Sequence, residues 1–124
     1  MRLLIILITL SIAGFMVKLP SVFAGIDKEL HFAFYFFASA FLSIILVKRS
    51  SLTYLACILL LFSFGVFIEC AQEISNDIVG KRIHGKFDPE DIKYNTFGIF
   101  SYLFLWAHYK LLNKIGEWKS IQNG

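Results

Sequence analysis

The sequence predicts an all-α fold, a polytopic membrane protein built as a bundle of four transmembrane helices. Composition is the first reason: of 124 residues, 57% are hydrophobic and only 17% charged. That is too apolar for an ordinary soluble domain, and the chain is too short for several domains. The second reason is four long runs nearly free of charge: Leu3–Val17, Leu30–Val47 (interrupted only by His31), Ser50–Ile68 and Tyr94–Tyr109. A spanning helix needs about 20 mostly apolar residues, about 17 at the short end. The second and third runs meet that length outright. The first and fourth meet it once Lys18 and Lys110 snorkel to the interface. The third reason is that start and stop signals fall between the runs. The reading is a single domain over residues 1–124, with helices at about 3–19, 28–47, 51–72 and 89–113 and a basic C-terminal tail at 114–124.

The first element, "MRLLIILITLSIAGFMVKLPSVFAG", also has the makings of a signal peptide, with a basic start and a V-F-A ending. Its apolar stretch is long for that role, and Lys18 and Pro20 interrupt before the cut, so retention as a membrane helix is expected. The second element opens with "GIDKELHFAFY", where Asp27 can cap the helix. The third can be capped by Ser50 or Ser51 after the tight "KRSS" turn. Cys57 and Cys70 lie thirteen residues apart along it, about 20 Å at 1.5 Å per residue, which excludes an intrachain disulfide. The fourth is announced by "DPED" at 88–91, an N-cap Asp, Pro at the first helical position and acids in the first turn. A loop near 18–27 and a longer one at 74–88 complete the connections. Trp106, Tyr109 and Trp118 suit the far membrane interface.

The loops near 18–27 and 74–88 belong on one side of the membrane. Lys18, Lys28, Lys81, Arg82, Lys86 and Lys93 accompany them, against Arg2, Lys48, Arg49, Lys110, Lys114 and Lys119 on the other side. Equal counts leave the positive-inside rule balanced. Eight of the nine acids, all but Glu117, fall with the two loops, while the "KRSS" turn and the tail are basic. The termini are therefore expected in the cytoplasm, in a multi-pass arrangement.

Three helix ends meet on the acidic side, each with a polar stripe at helical spacing. Asp27, His31 and Tyr35 stand at i, i+4 and i+8. Glu69, Gln72 and Glu73 stand at i, i+3 and i+4, and Asp91, Asn95 and Gly98 at i, i+4 and i+7. Polar groups in membrane helices turn inward or toward a wet cavity, because lipid exposure of an ionised group costs several kcal/mol at the bilayer centre. Plainer roles stand beside this one. Asp27 and Asp88 suit caps, and Asn95 and Gly98 suit helix packing. Glu73, Asp77, Glu90 and Lys93 suit solvated surface. Glu69 has no such explanation. Arg82 and Lys86, in the loop above, can pair with these acids or hold an anionic headgroup.

Taken in order, "DKELHFAFY" (Asp27, Lys28, His31, Tyr35), "ECAQ" (Glu69, Gln72), Arg82 and "DPEDIKYNTFG" (Asp88, Asp91, Asn95, Gly98) resemble the VanZ-like family of small bacterial membrane proteins. The likeness runs from about residue 27 to 102. The family pattern commonly has a second Gly four residues after Gly98, where this chain has Tyr102, and a shorter Pro- and Gly-containing loop between Gln72 and Arg82. The resemblance implies four or five membrane helices with polar residues clustered near one face, and a link to glycopeptide (teicoplanin-type) antibiotic resistance in at least one member.

Three functions follow as expectations. The first is a cell-envelope protein whose outward pocket, formed by Asp27, Lys28, His31, Tyr35, Glu69, Gln72, Arg82, Asp91 and Asn95, binds an anionic lipid or a lipid-linked cell-wall precursor. The second is a membrane-embedded hydrolase or transferase acting on a lipid-linked substrate, with Glu69, His31 or Asp91 in acid-base roles. In that case Asp27, His31, Glu69 and Asp91 could instead hold a divalent metal. No nucleophile motif or compact metal signature is present, so no cofactor is expected. The third is a structural or assembly partner whose polar stripes lock helices together. Nucleic acid is not an expected partner, because the net charge is only +3 and half the basic residues sit among acids.

Overall fold

The computed structural model describes Thr9, Ser11, Ile12 and Gly14 and residues 25–46, 49–83 and 85–122. Helix 1 spans Asp27–Ile45 (α1), helix 2 Ser51–Val79 (α2) and helix 3 Pro89–Gln122 (α3). The fold is all-α, but the bundle of four transmembrane helices is corrected: the described residues build three helices, and two of them, α1 and α2, are long and apolar enough to cross a membrane. The expected first span at 3–19, and with it the choice between anchor and signal peptide, lies outside the described residues apart from the four isolated positions. The expected fourth span fails on composition, because Asn95, Thr96, Ser101, His108 and Lys110 dilute the apolar residues of α3.

Local chemistry sets the helix ends. The N-cap position of α1 is Ile26, with no side-chain cap, so Asp27 is not the capping residue. Asp27 and Glu29 instead lie in the first turn, where the helix dipole favours acids. Ser50 Oγ accepts the Thr53 N–H at 3.1 Å and caps α2. That helix runs past the expected stop at 72 to Val79, ending where Gly80 turns left-handed at φ 69°. The expected loop at 74–88 is correspondingly shorter. Asp88 Oδ1 accepts the Glu90 N–H at 2.8 Å, with Pro89 at the first helical position of α3. The basic tail expected from 114 is helical through Gln122.

α1 and α3 run parallel, side by side. Their contacts advance in step, from His31 against Asn95, through Phe36 edge-on to Tyr102 (5.5 Å between ring centres), to Ser43 hydrogen-bonded to the Tyr102 hydroxyl. Gly98 makes this approach possible, since a Cβ there would strike the Phe32 carbonyl oxygen and come within 3.0 Å of the Phe36 nitrogen. Tyr102, which stands where the VanZ-like pattern commonly has a glycine, is half-buried in that seam. α2 runs the other way across the pair, with the Tyr54 ring 4.8 Å from that of Trp106 and the Tyr54 hydroxyl 3.4 Å from the Ser39 carbonyl.

The interior is one narrow stripe per helix. On α2 it is Tyr54, Ile58, Gly65, Ile68, Glu69, Gln72 and Asn76; on α1 it is His31, Tyr35 and Ser39. On α3 it is Asp91, Asn95, Gly98 and Ile99, all at the three- and four-residue spacing of one helical face. The exterior is apolar, with Leu52, Leu60 and Phe104 each exposed by about 70% or more. Polar groups inside and large apolar groups outside invert the pattern of a water-soluble domain and match helices that face lipid.

Candidate functional site

The polar interior lies where α1 and α3 begin and α2 ends. Glu69 is 1% exposed, Asn95 2%, and His31 and Asp91 7% each. His31 Nδ1 donates to Asn95 Oδ1 at 2.9 Å. With that proton on Nδ1, a neutral imidazole keeps its lone pair on Nε2, and Nε2 lies 3.8 Å from Asp91 Oδ2. The other Asp91 oxygen, Oδ1, lies 3.4 Å from Lys28 Nζ. One carboxylate thus spans from His31 to Lys28. Lys28 also reaches Asp88 Oδ2 at 3.0 Å and Glu90 Oε2 at 3.1 Å, so a single ammonium serves three acids of the first turn of α3 and its cap. The Glu90 N–H, and next the Lys28 ammonium, hold the Asp88 carboxyl below its ordinary range.

Glu69 has a structural partner that its sequence position did not disclose. Its Oε2 accepts the Asp88 N–H at 3.2 Å, while one turn on, Glu73 Oε2 accepts the Phe87 N–H at 3.2 Å. Glu73 is therefore only partly exposed and braces the loop, in place of the solvated surface role expected for it. Asn76 continues the brace, donating to the Gly85 carbonyl at 2.7 Å and accepting the Ile83 N–H at 2.9 Å. Gln72 lies beneath Gly85, where a Cβ would come within 3.0 Å of Gln72 Oε1. Glu69, Glu73 and Asn76, on one face of α2, thus strap down Ile83, Gly85, Phe87 and Asp88 on the way into α3, with Gln72 packed against Gly85. Asn76 was not among the expected site residues. One further step of the Glu69, Gln72 and Glu73 spacing reaches it.

Beside this core opens a cleft of about 350 Å³, lined by Gly25, Asp27, Lys28, Glu29, Asp88 and Tyr94. Lys28 is its one cation among the described residues, and the ammonium lies 6.0 Å from the centre of the Tyr94 ring. Of the expected site residues, Asp27, Lys28, His31, Asp91 and Asn95 come together directly. Tyr35 is buried deeper, beside Asn95, and both would contact a Cβ placed on Gly65. Glu69 and Gln72 face the loop. Arg82 is exposed on that loop and joins no ion pair among the described residues. His84 lies outside them.

Asp27, His31 and Asp91 each present a metal-ligating atom, all within 4.8 Å of one another. Glu69, expected beside them from the sequence, is not in this group. Every buried side-chain nitrogen and oxygen among the described residues has a hydrogen-bond partner, so the seam is a satisfied network in a low-dielectric setting. Compared with family models, with curated proteins and with solved structures, the chain matches none.

Proposed function

We propose that the protein is a VanZ-like, multi-pass protein of a bacterial cytoplasmic membrane, with both termini cytoplasmic, whose polar helix ends bind the headgroup of a lipid-linked cell-wall precursor. The observation that carries this reading is a cleft of about 350 Å³ opening beside a fully buried polar seam, on helices whose outer faces are apolar. Volumes of roughly 300–1,000 Å³ are usual for small-molecule sites. An apolar exterior lets the tail of such a ligand stay in lipid while its head enters the cleft.

Charge distinguishes between the ligands named from the sequence. Asp27, Glu29 and Asp88 line the cleft with Lys28, and Arg82 stands apart from it. Among the described residues a simple anionic lipid would meet three carboxylates and one cation. A precursor carrying amino or hydroxyl groups beside its phosphate suits the lining better, with phosphate to Lys28 and donors to the acids. Any link to glycopeptide resistance belongs to this same reading. The parallel course of α1 and α3 supports a cytoplasmic C-terminus, since it brings the end of α3 toward the side of Arg49 and the tight basic turn.

Native mass spectrometry of the full chain in detergent, with a polyprenyl diphosphate bearing an amino sugar, phosphatidylglycerol and phosphatidylcholine as probes, tests it. The amino-sugar lipid adduct is expected to dominate and to fall at least tenfold in Lys28→Gln but not in Lys114→Gln. Equal retention of all three lipids, or an indifferent Lys28→Gln, would refute the reading.

A further inference from the structure

We propose that Asp27, His31 and Asp91 form a binding site for one divalent transition metal ion, with Asn95 as the residue that orients the histidine. The site stands apart from the headgroup reading, since it needs no lipid to fill it.

Four features of the molecule point to a cation here. The first is the direction of His31: Nδ1 is tied to Asn95 Oδ1 at 2.9 Å, which turns the Nε2 edge of the ring toward Asp91. Metal-bound histidines are oriented in this manner by a partner at the other ring nitrogen. The second is the spacing of Nε2 and Asp91. Nε2 and Asp91 Oδ2 stand 3.8 Å apart, too long for a hydrogen bond. That spacing suits two atoms bound to a common ion, because metal–ligand bonds of about 2.1 Å place ligand atoms roughly 3–4 Å apart.

The third is Asp27. Its half-buried carboxylate neither caps α1 nor forms a hydrogen bond or ion pair among the described residues, yet it lies within 4.8 Å of both other ligand atoms. The fourth is charge. Asp27, Asp88, Glu90 and Asp91 cluster around one lysine, Lys28, whose ammonium is shared among the last three. A divalent ion offsets most of the remaining negative charge.

One imidazole with two carboxylates suits zinc or manganese better than calcium, which takes oxygen ligands, or copper(I), which takes sulfur. Two of the three ligands are on α1, one turn apart, and the third is on the first turn of α3. The ion therefore joins the two helices at the end where Gly98 already brings their backbones together. Three protein ligands leave at least one coordination position for water or for a phosphate oxygen.

Calorimetric titration of the chelator-treated full chain in detergent with Zn²⁺ and Mn²⁺ tests the site. One ion per chain is expected for the tighter of the two. His31→Gln and Asp27→Asn are each expected to weaken it at least tenfold, and Glu117→Gln, at the far end of α3, to leave it unchanged. Asp27→Asn removes no contact that holds the fold, so a folded variant is expected even if His31→Gln disturbs packing; circular dichroism checks both. No saturable binding below about 1 mM, or wild-type affinity in Asp27→Asn, overturns the proposal. Because lipid is absent from the titration, its outcome is independent of the headgroup assignment.

Discussion

The two ends of the helix pack are held by different forces. At the end where α1 and α3 begin, the interior is His31, Asp91, Asn95, Glu69 and Gln72, all buried and hydrogen-bonded or ion-paired. At the other end it is Tyr54 and Ile58 with Leu46, Tyr102 and Trp106 packed around them. In water the apolar end would be the stronger, because burial would remove large apolar surface from solvent. In lipid that term largely vanishes, since acyl chains are as apolar as the side chains they replace. What remains at the apolar end is dispersion and shape. At the polar end each group set free of its partner carries a desolvation penalty that water cannot relieve. The same three helices are thus expected to resist apolar truncation better than polar truncation, the reverse of a soluble core.

The seam between the two ends is the place to break both at once. Gly98→Ala puts a methyl group onto the Phe32 carbonyl oxygen, and backbone atoms in two packed helices cannot step aside. Overpacking typically costs 1–3 kcal/mol, and this site belongs at about 3. The melting temperature of the purified protein in detergent is expected to fall sharply, and an unchanged one would show that α1 and α3 do not meet at Gly98. The next largest effect compares the ends directly. Glu69→Ala strands the Asp88 N–H and opens a void, a loss of roughly 2–3 kcal/mol. Tyr54→Ala removes an aromatic ring from a nearly closed site, a change that costs about 3–5 kcal/mol in water. In a lipid-like medium about 2 is expected, because only the packing part remains. A greater loss of melting temperature for Tyr54→Ala than for Glu69→Ala in the same bicelles would invert the comparison.

How much of this was legible in the sequence differs between the two ends for a physical reason. Polar residues are rare in apolar runs, so the spacing of Asp27, His31, Glu69, Asp91 and Asn95 was visible, and the structure places four of the five within one cluster. Asn76 is not visible as a site residue because the expected helix at 51–72 stops short of it. Ser75, Asn76 and Asp77 read as loop composition, yet their polar groups are used along the helix, with Ser75 Oγ bonded to the Gln72 carbonyl and Asn76 to the loop. Glu73 misled for a similar reason, since a carboxylate bonded to a backbone N–H has the same sequence signature as one in water. The apolar end was nearly silent. Phe, Leu and Ile on the lipid face and in the interior are chemically alike, so nothing marked Ile58 as buried and Leu59 as exposed. The span count failed where α3 mixes both characters, with a polar stripe facing α1 and aromatic residues diluted by His108 and Lys110 on the rest.

The smallest expected effect tests how far the polar network extends toward water. Asp88 has two roles, capping α3 through the Glu90 N–H and pairing with Lys28. Its side chain is 42% exposed, so screening by solvent keeps the ion pair weak. Asp88→Ala is expected to cost about 1 kcal/mol, the usual value of an N-cap, while Asp88→Asn retains the cap and loses only the charge. The difference between wild type and Asp88→Asn then reports the charge alone, and its pH dependence has a definite sign. The folded-state pKa lies below the ordinary value of 3.8. The unfolded chain therefore binds the proton first as pH falls, and the stabilisation is fully present above about pH 4. It declines below that and is gone once pH passes under the folded-state value. Melting temperatures of the two proteins should accordingly differ slightly at pH 7 and converge in strong acid. A wild type less stable than Asp88→Asn at pH 7, recovering to equality as the carboxyl protonates, would mean that the Asp88 carboxylate is held against, and not by, its neighbours, and that the favourable polar network ends at the Asp88 N–H bound by Glu69.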